Sequence, residues 1–486
     1  MMARTVRLLH RVAILIAIGL LMFLVGRVVQ TERGPDLEPW HEFVPPEPRA
    51  AAIAGLDWTG YLAAEAMAFE AVRREVTDRI PRQDRRADAR YVAGSPVYPG
   101  RFATDWNRSF ILEPSGPPVG AVVLLHGLTD SPYSLRHVAL RYRDLGYVAV
   151  GVRLPGHGTV PAALTAVTWP DWEAAAILAV REARRRAGPG APLHLVGYST
   201  GGAVAAKYAM DALDDPALPR PHRIVLISPM VGISAFARFA GLAGLPAVLP
   251  AFAKAAWLSI LPEFNPFKYN SFPVNAARQA YGLTVALQDQ TQRLARAGRL
   301  AGLAPVLTFQ SSMDFTVSTR AIISDFYSLL PDYGSELVLF DVNRAAKLGL
   351  LLRGPFALPA EALAPAAPRP WRLTVLGNTE ADPAVTERSV PAGQGRETRR
   401  LLDAAYPAEV YSLSHVALPF PRTDGLYGAA PDPADDFGVR LGAVAPHGEV
   451  GVLVVSVDSL VRLTWNPFFD YMMGRIEEGV RAGAGR

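Results

Sequence analysis

Cysteine is absent from all 486 residues. That excludes disulfides, thiolate metal sites, lipid attachment through cysteine and a cysteine nucleophile, although it does not fix the compartment. Lysine is nearly absent as well. Lys207, Lys254, Lys268 and Lys347 are the only ones, and arginine carries the rest of the positive charge. The net charge of +4 is small for this length. No basic run with interleaved aromatics occurs, so the arginines do not mark a nucleic-acid surface. No G-x-G-x-x-G follows a strand-like run, which argues against a dinucleotide binder. Internal repeats are lacking too. Apolar residues, by contrast, make up 50% of the chain, enough to build a large core. The length allows two or three domains, or one α/β core with insertions.

The first thirty residues speak to location. Arg4, Arg7 and Arg11 precede Val12 to Gly26, an uncharged stretch closed by Arg27. At 1.5 Å per residue it spans about 22 Å, short for a bilayer core. Leu8, Leu9, Val28 and Val29 lengthen it if the arginines snorkel to the interface. The layout also suits a signal peptide, but Gly26-Arg27-Val28-Val29-Gln30 offers no small-x-small cleavage site. The expectation is a single-pass membrane anchor over 1–31, with the N-terminus cytoplasmic and the body outside. Secretion after signal cleavage is the alternative.

Residues 32–90 read as a Pro- and Glu-rich linker followed by an amphipathic helical segment over 51–80, which Pro81 ends. Short strands are expected near Arg101–Phe102 and Ser109–Leu112. From Val119 strands and helices alternate. Ala121–Leu125, Tyr147–Val152, 193–198 and Arg223–Ile227 are apolar runs of strand length, and amphipathic helices separate them. This pattern predicts an α/β fold with a doubly wound, mostly parallel sheet, its first part in 91–234. Residues 235–303 break the alternation with an apolar helical insertion, read as a lid or, alternatively, an extra core layer. The sheet pattern resumes in 304–343. A Pro- and Ala-rich insertion over 344–405 holds one expected strand, Arg372–Leu376, and 406–486 completes the core.

Gly197-Tyr198-Ser199-Thr200-Gly201 is the most informative motif. It fits G-x-S-x-G after the strand-like run Leu193-His194-Leu195-Val196 and before a small-residue helix. A turn this tight lifts the serine side chain above the sheet. Serine needs a histidine base, and the histidine needs a carboxylate to fix its tautomer. Asp314, just after the strand and turn Pro305–Met313, is the expected acid. Asp341, ending Glu336–Phe340, and Asp332, in a turn, are rivals. Downstream only His415 and His447 are available, and the strand end at Val410–Leu413 favours His415. A simpler arrangement would place the histidine after Leu337–Asp341, where this chain has Val342-Asn343-Arg344, so the excursion must deliver it. Backbone N–H groups of Thr200 and Leu128 are the expected oxyanion donors. His126 and His157 are expected to brace those loops, and His194 to lie in the core.

His126-Gly127-Leu128-Thr129-Asp130-Ser131-Pro132, Leu154-Pro155-Gly156-His157-Gly158-Thr159 and Gly197-Tyr198-Ser199-Thr200-Gly201-Gly202 together resemble the carboxylesterase, monoacylglycerol lipase and lysophospholipase-like group of serine α/β-hydrolases. Asp130 departs from the group's common glycine. The resemblance implies an α/β-hydrolase fold, hydrolysis of carboxylic esters through an acyl-enzyme, no cofactor or metal, and a lid over an acyl pocket. Lipid-like esters are the expected substrates, with Phe236, Phe239 and Trp257 as candidate acyl contacts. An acyltransferase with the same triad and a non-catalytic membrane-tethered scaffold are the alternatives.

Overall fold

Gly120–Leu125 forms a strand buried on both sides, and its side chains divide between two cores. Ala121, Val123 and Leu125 point into one cluster, whereas Val122 and Leu124 point into the other. Period-2 alternation sends successive residues to opposite faces, so a wholly apolar run marks a strand covered on both sides. The computed structural model describes residues 2–232, 244–314, 316–347, 358–408, 410–443 and 463–484.

The strands are β1 (Phe110–Leu112), β2 (Gly120–Leu125), β3 (Tyr147–Val152), β4 (Leu193–Tyr198), β5 (Arg223–Ile227), β6 (Trp257–Ser259), β7 (Phe272–Pro273), β8 (Val306–Ser311), β9 (Glu336–Phe340), β10 (Arg372–Gly377), β11 (Thr386–Val390) and β12 (Thr398–Leu401). Ten of them form one sheet in the order β1-β3-β2-β4-β5-β8-β9-β10-β11-β12, while β6 and β7 make a separate ribbon. From β3 to β10 every neighbour is parallel; β1, β11 and β12 join antiparallel at the edges.

Helices cover both faces. The first, α1 (Met2–Glu32), is followed by short α2 (Pro39–Glu42) and α3 (Ala50–Ala54), then α4 (Trp58–Glu75). Next come α5 (Arg136–Asp144), α6 (Trp169–Ala187), α7 (Thr200–Asp214), α8 (Val274–Arg296) and α9 (Phe469–Ala484). Local chemistry sets their ends. Asp57 accepts the Gly60 N–H at the start of α4, and Thr168 and Asp171 form a reciprocal capping box on α6. Gly188, at φ +90°, closes α6. In α8, Ala276, Ala280, Leu283, Leu287 and Leu294 follow helical spacing into the larger core. Met472, Ile476 and Val480 of α9 enter the core on the opposite face.

Several expectations change. No strand forms at Arg101–Phe102, where Pro99–Arg101 is a 3-10 turn instead. The 344–405 segment carries three strands rather than one, and they extend the main sheet. Helix α8 is a core element, so the described part of 235–303 is not a detachable layer of helices. The linker composition of 32–50 also misleads. Trp40 and His41 are buried, and Glu47 reaches Arg153 beneath the sheet's end.

Arg153 is fully buried. Its guanidinium binds Glu47 at 2.8 and 3.0 Å and Glu65 at 3.1 Å. Tyr61 Oη donates to the Arg153 carbonyl at 2.6 Å. This cluster fastens the N-terminal segment to the loop after β3. Arg153→Met is expected to destabilise the protein by about 3–5 kcal/mol, because two buried carboxylates lose their counter-charge. Denaturant unfolding checks this, and a loss under about 1 kcal/mol would show that the cluster is not holding the segment.

Candidate active site

The turn at Ser199 is a backbone feature before it is a chemical one. Ser199 adopts φ +53° and ψ −117° between β4 and α7, a region costly for a residue with a Cβ. The surrounding chain leaves little choice. A Cβ on Gly201 would lie 2.0 Å from the Leu125 carbonyl oxygen, and one on Gly197 would lie 2.4 Å from the Gly201 carbonyl oxygen. The Ser199 N–H donates to Ile227 at 3.0 Å, and the Met230 N–H to Ser199 at 3.0 Å. The motif's two glycines are thus set by close packing against β2 and within the turn.

Ser199 Oγ and His415 Nε2 lie 3.0 Å apart, and His415 Nδ1 is 2.7 Å from Asp314 Oδ2. All three residues are less than a tenth exposed. Asp314 Oδ1 accepts the Thr316 and Val317 N–H groups at 2.9 and 3.1 Å, which fixes the carboxylate. The His415 ring stacks on Tyr198 at 5.4 Å, and Tyr198 Oη donates to the His415 carbonyl. The structure thus brings Ser199, Asp314 and His415 into one hydrogen-bonded chain. His447 lies outside the described residues.

The rival acids are engaged or remote. Asp341 is held by Arg344 at 3.1 Å, and Asp332 is exposed in a bend. His415 does not follow a strand as expected; Leu413 makes only an isolated bridge to Leu463. The return path is held by other contacts. Asn343 N–H donates to the Tyr411 carbonyl at 2.7 Å, Asn343 Nδ2 to Val410 at 2.6 Å, and Ser311 Oγ to Leu413 at 3.1 Å. Residues 410–415 thereby lie against the ends of β8 and β9.

Thr200 opens α7, where backbone N–H groups have no acceptor within the helix. Leu128 sits on the loop after β2, and both residues line a cavity of about 370 Å³ with Ser199 and His415. That size suits a small-molecule site. Met230, Phe272, Ala277, Ala280, Val317 and Val416 give it a largely apolar wall, and Lys268 is the lysine in it. The scarcity of lysine was a visible signal, but nothing local in the sequence tied Lys268 to Ser199.

His126 accepts the Leu154 N–H at 3.0 Å through Nε2 and donates from Nδ1 to Gly127. His157 packs edge-on against it at 4.9 Å. Burial keeps both neutral, lowering His126 well below the usual range and His157 to about 3. They brace the loops. His194 is buried beside Tyr142 in strand β4. Phe236 and Phe239 lie outside the described residues. Trp257 is placed differently from the expectation. It is buried with Trp40, Val160 and Ala162, and its ring meets His41 at 4.9 Å, one strand away from the cavity wall.

A mostly parallel, doubly wound sheet with a serine on a strained turn at its end is the arrangement of the α/β-hydrolase fold. Residues 116–342 match the Hydrolase_4 family, described as serine aminopeptidase, S33. A stretch of 57 residues is 44% identical to the thermostable monoacylglycerol lipase of Bacillus sp. (strain H-257). It covers 12% of this chain and about a fifth (22%) of that protein's length. Among solved structures, one of the metagenome-derived lipolytic enzymes LipS and LipT is 23% identical, covering 49% of this chain and 88% of that one at a TM-score of 0.39. A soluble variant of monoglyceride lipase from Saccharomyces cerevisiae is 14% identical, with 48% and 81% covered and a TM-score of 0.35. Residues 116–342, just under half of the chain, are thus similar to the Hydrolase_4 family, and the 57-residue stretch is similar to a monoacylglycerol lipase.

Gly201→Ala tests the turn. It is expected to cost on the order of 3 kcal/mol or more, since the added methyl overlaps the backbone of β2 rather than a movable side chain. A thermal midpoint within about 2 °C of the parent would refute that packing argument.

Proposed function

We propose that the protein hydrolyses carboxylic esters, with Ser199 as nucleophile, His415 as general base and Asp314 as its orienting carboxylate. The supporting observation is the continuous Ser199–His415–Asp314 hydrogen-bonded chain, at 3.0 and 2.7 Å. His415 takes the Ser199 proton as Oγ attacks the ester carbonyl. The N–H groups of Leu128 and Thr200 stabilise the oxyanion that develops. Collapse expels the alcohol, which takes its proton from His415 and leaves an acyl-serine. Water, deprotonated by the same imidazole, then releases the acid. Asp314 keeps Nδ1 protonated so that Nε2 faces the serine. A scaffold without catalysis would have no use for this alignment.

The cavity favours an ester over an amino-terminal peptide. Its described wall carries Lys268 and no aspartate or glutamate, the opposite of what an N-terminal ammonium needs. Met230, Phe272, Val317 and Val416 offer apolar contact to an acyl chain, and each buried methylene contributes about 0.8 kcal/mol. Of the 235–303 insertion expected as a lid, α8 belongs to the core, and we propose a covering role only for the part before it, described over 244–273.

Ser199→Ala is expected to reduce kcat on p-nitrophenyl hexanoate by several powers of ten, and His415→Ala by nearly as much, because the triad acts as a unit. Retention of more than about a tenth of the parent turnover by either variant would refute the assignment.

We further propose that α1 anchors the protein in a membrane, with the body outside the cytoplasm. The most apolar 18-residue window of His10–Glu32 has a mean hydropathy of 2.7 and is not buried in the fold. Ahead of Arg27, His10–Gly26 measures about 25 Å at 1.5 Å per residue, and the earlier turns of α1 lengthen it toward a bilayer core. The helix end is seated on the body: Arg27 donates to the Trp257 carbonyl, and just beyond the helix Asp36 pairs with Lys254 at 2.8 Å. Full-length protein is expected to stay with carbonate-washed membranes, and a chain lacking 2–31 to be released. A reporter active only after export, fused after residue 40, is expected to be active. Full-length protein in the soluble fraction would overturn the anchor, and an inactive reporter the orientation.

A further inference from the structure

Lys268 is half-buried and lines the Ser199 cavity. Its Nζ has one hydrogen bond, to the Leu128 carbonyl at 3.5 Å, a long contact to a neutral acceptor. Among the described residues no carboxylate lies within ion-pair distance of it. The other described lysines with anionic neighbours show the contrast: Lys207 pairs with Asp211 at 2.6 Å and Glu173 at 3.1 Å, and Lys254 pairs with Asp36 at 2.8 Å. The ammonium thus faces a cavity whose described wall holds hydroxyls, His415 and apolar side chains but no carboxylate to pair with it.

The segment bearing Lys268 is fixed. On one side the Tyr269 N–H donates to the Thr129 carbonyl at 2.7 Å, and Tyr269 Oη reaches Gly156 at 3.2 Å. On the other the Glu263 carboxyl accepts the Asn270 and Ser271 N–H groups. The ammonium is therefore held beside Leu128, a proposed oxyanion donor. Asp130, on the same loop, is the buried carboxyl that Lys268 influences, but it is absent from the cavity wall. Burial pushes Asp130 up from the usual carboxylate range, while Lys268 and the Ser131 N–H pull it down.

We infer that Lys268 is a specificity-determining residue that selects esters carrying an anionic group, carboxylate or phosphate, close to the scissile carbonyl. The inference rests on the ester-hydrolase reading and deepens it. The anion accepts from Nζ, replaces the long contact to Leu128, and holds the carbonyl over Ser199 on the oxyanion side. The apolar wall takes the rest of the acyl chain.

Two matched pairs of esters test it. Mono-p-nitrophenyl adipate and p-nitrophenyl hexanoate share a six-carbon acyl chain, and only the first ends in a carboxylate. 1-Decanoylglycerol-3-phosphate and 1-decanoylglycerol differ by a phosphate on the alcohol side. The readout is the anionic-to-neutral ratio of kcat/KM within each pair. Lys268→Met is expected to lower that ratio by roughly tenfold to a hundredfold in at least one pair, the range for a hydrogen bond to a charged group, mainly through KM. Lys268→Arg is expected to restore most of it. A drop in the adipate pair places the anion on the acyl arm, and a drop in the phosphate pair places it on the alcohol arm. Equal losses on anionic and neutral esters would overturn the inference and leave Lys268 as a brace for the Leu128 loop; unchanged ratios would also overturn it. A binding measurement separates this from the reading beneath it. Calorimetry with octyl phosphate compares Ser199→Ala with Ser199→Ala/Lys268→Met, and a tenfold or greater weakening is expected. That weakening without any ester turnover by the parent protein would keep the anion site and discard the hydrolase. Equal affinity in the two variants would discard the anion site even if esters are cleaved.

Discussion

One contact constrains the rest of the molecule: His415 must stand between Asp314 and Ser199, although 101 and 216 positions of chain separate it from them. Closing so long a loop costs entropy that one hydrogen bond cannot offset. The chain solves this by making the detour part of the sheet. β10 pairs with β9 in parallel register, Leu373 beside Leu337 and Leu376 beside Phe340, and its apolar residues enter the two existing cores. β11 and β12 then turn back antiparallel. The route from Asp314 to His415 is thus divided into several smaller closures by strands added to an already ordered edge. Asn343 and Ser311 catch the returning strand of chain just before the histidine.

Buried charge fastens the pieces that the sheet does not reach. Arg153 ties Glu47 and Glu65 to the loop after β3. Arg136 and His137 enclose Asp424, and Tyr133 donates to the same carboxylate at 2.9 Å. Burial alone would raise the Asp424 carboxyl, but Arg136 and His137 outweigh it and hold it well below the usual range. A depressed carboxylate stabilises the fold above the unfolded pKa, about 3.9, and that contribution is lost as pH falls through the folded value. Both clusters join a segment outside the parallel sheet to a loop or helix start at its carboxyl end. Geometry at that end is what the Ser199 cavity depends on.

What could be read from the sequence follows from where each signal resides. The central strands were legible because burial on both faces leaves unbroken apolar runs, as in Ala121–Leu125 and Arg223–Ile227. The strained turn was legible because its glycines are required by contacts within a few residues and with the neighbouring strand. β11 and the edge strand β12 were not, because this margin of the sheet carries charged side chains, which at an edge discourage pairing with other chains. Thr386–Val390 and Thr398–Leu401 spend their side chains on pairs such as Arg400–Glu387. The linker reading of 32–50 failed for a similar reason: its proline and glutamate content says nothing of the distant Arg153 that Glu47 meets. Trp257 shows the reverse error. Apolar character marks burial, but only the fold decides whether the burial is beside a cavity or in a separate cluster with Trp40. His415 was singled out from an expected strand end, whereas its position comes from hydrogen bonds to Asn343 and Ser311 that no local pattern encodes.

The loop beside Ser199 is linked in the same way to the wall of the cavity. The 263–273 segment is tied to the loop after β2 by the Tyr269 N–H on Thr129, and to the loop after β3 by Tyr269 Oη on Gly156. It continues into β7 and then α8, which is packed in the main core. Movement of this segment relative to Leu128 would break those bonds and disturb the place proposed to hold the oxyanion. Its neighbour β6 carries the carbonyl that accepts Arg27, so the end of α1 and the cavity wall are joined through one two-stranded ribbon. In this chain the proposed anchor and the proposed substrate site are parts of one continuous piece of structure.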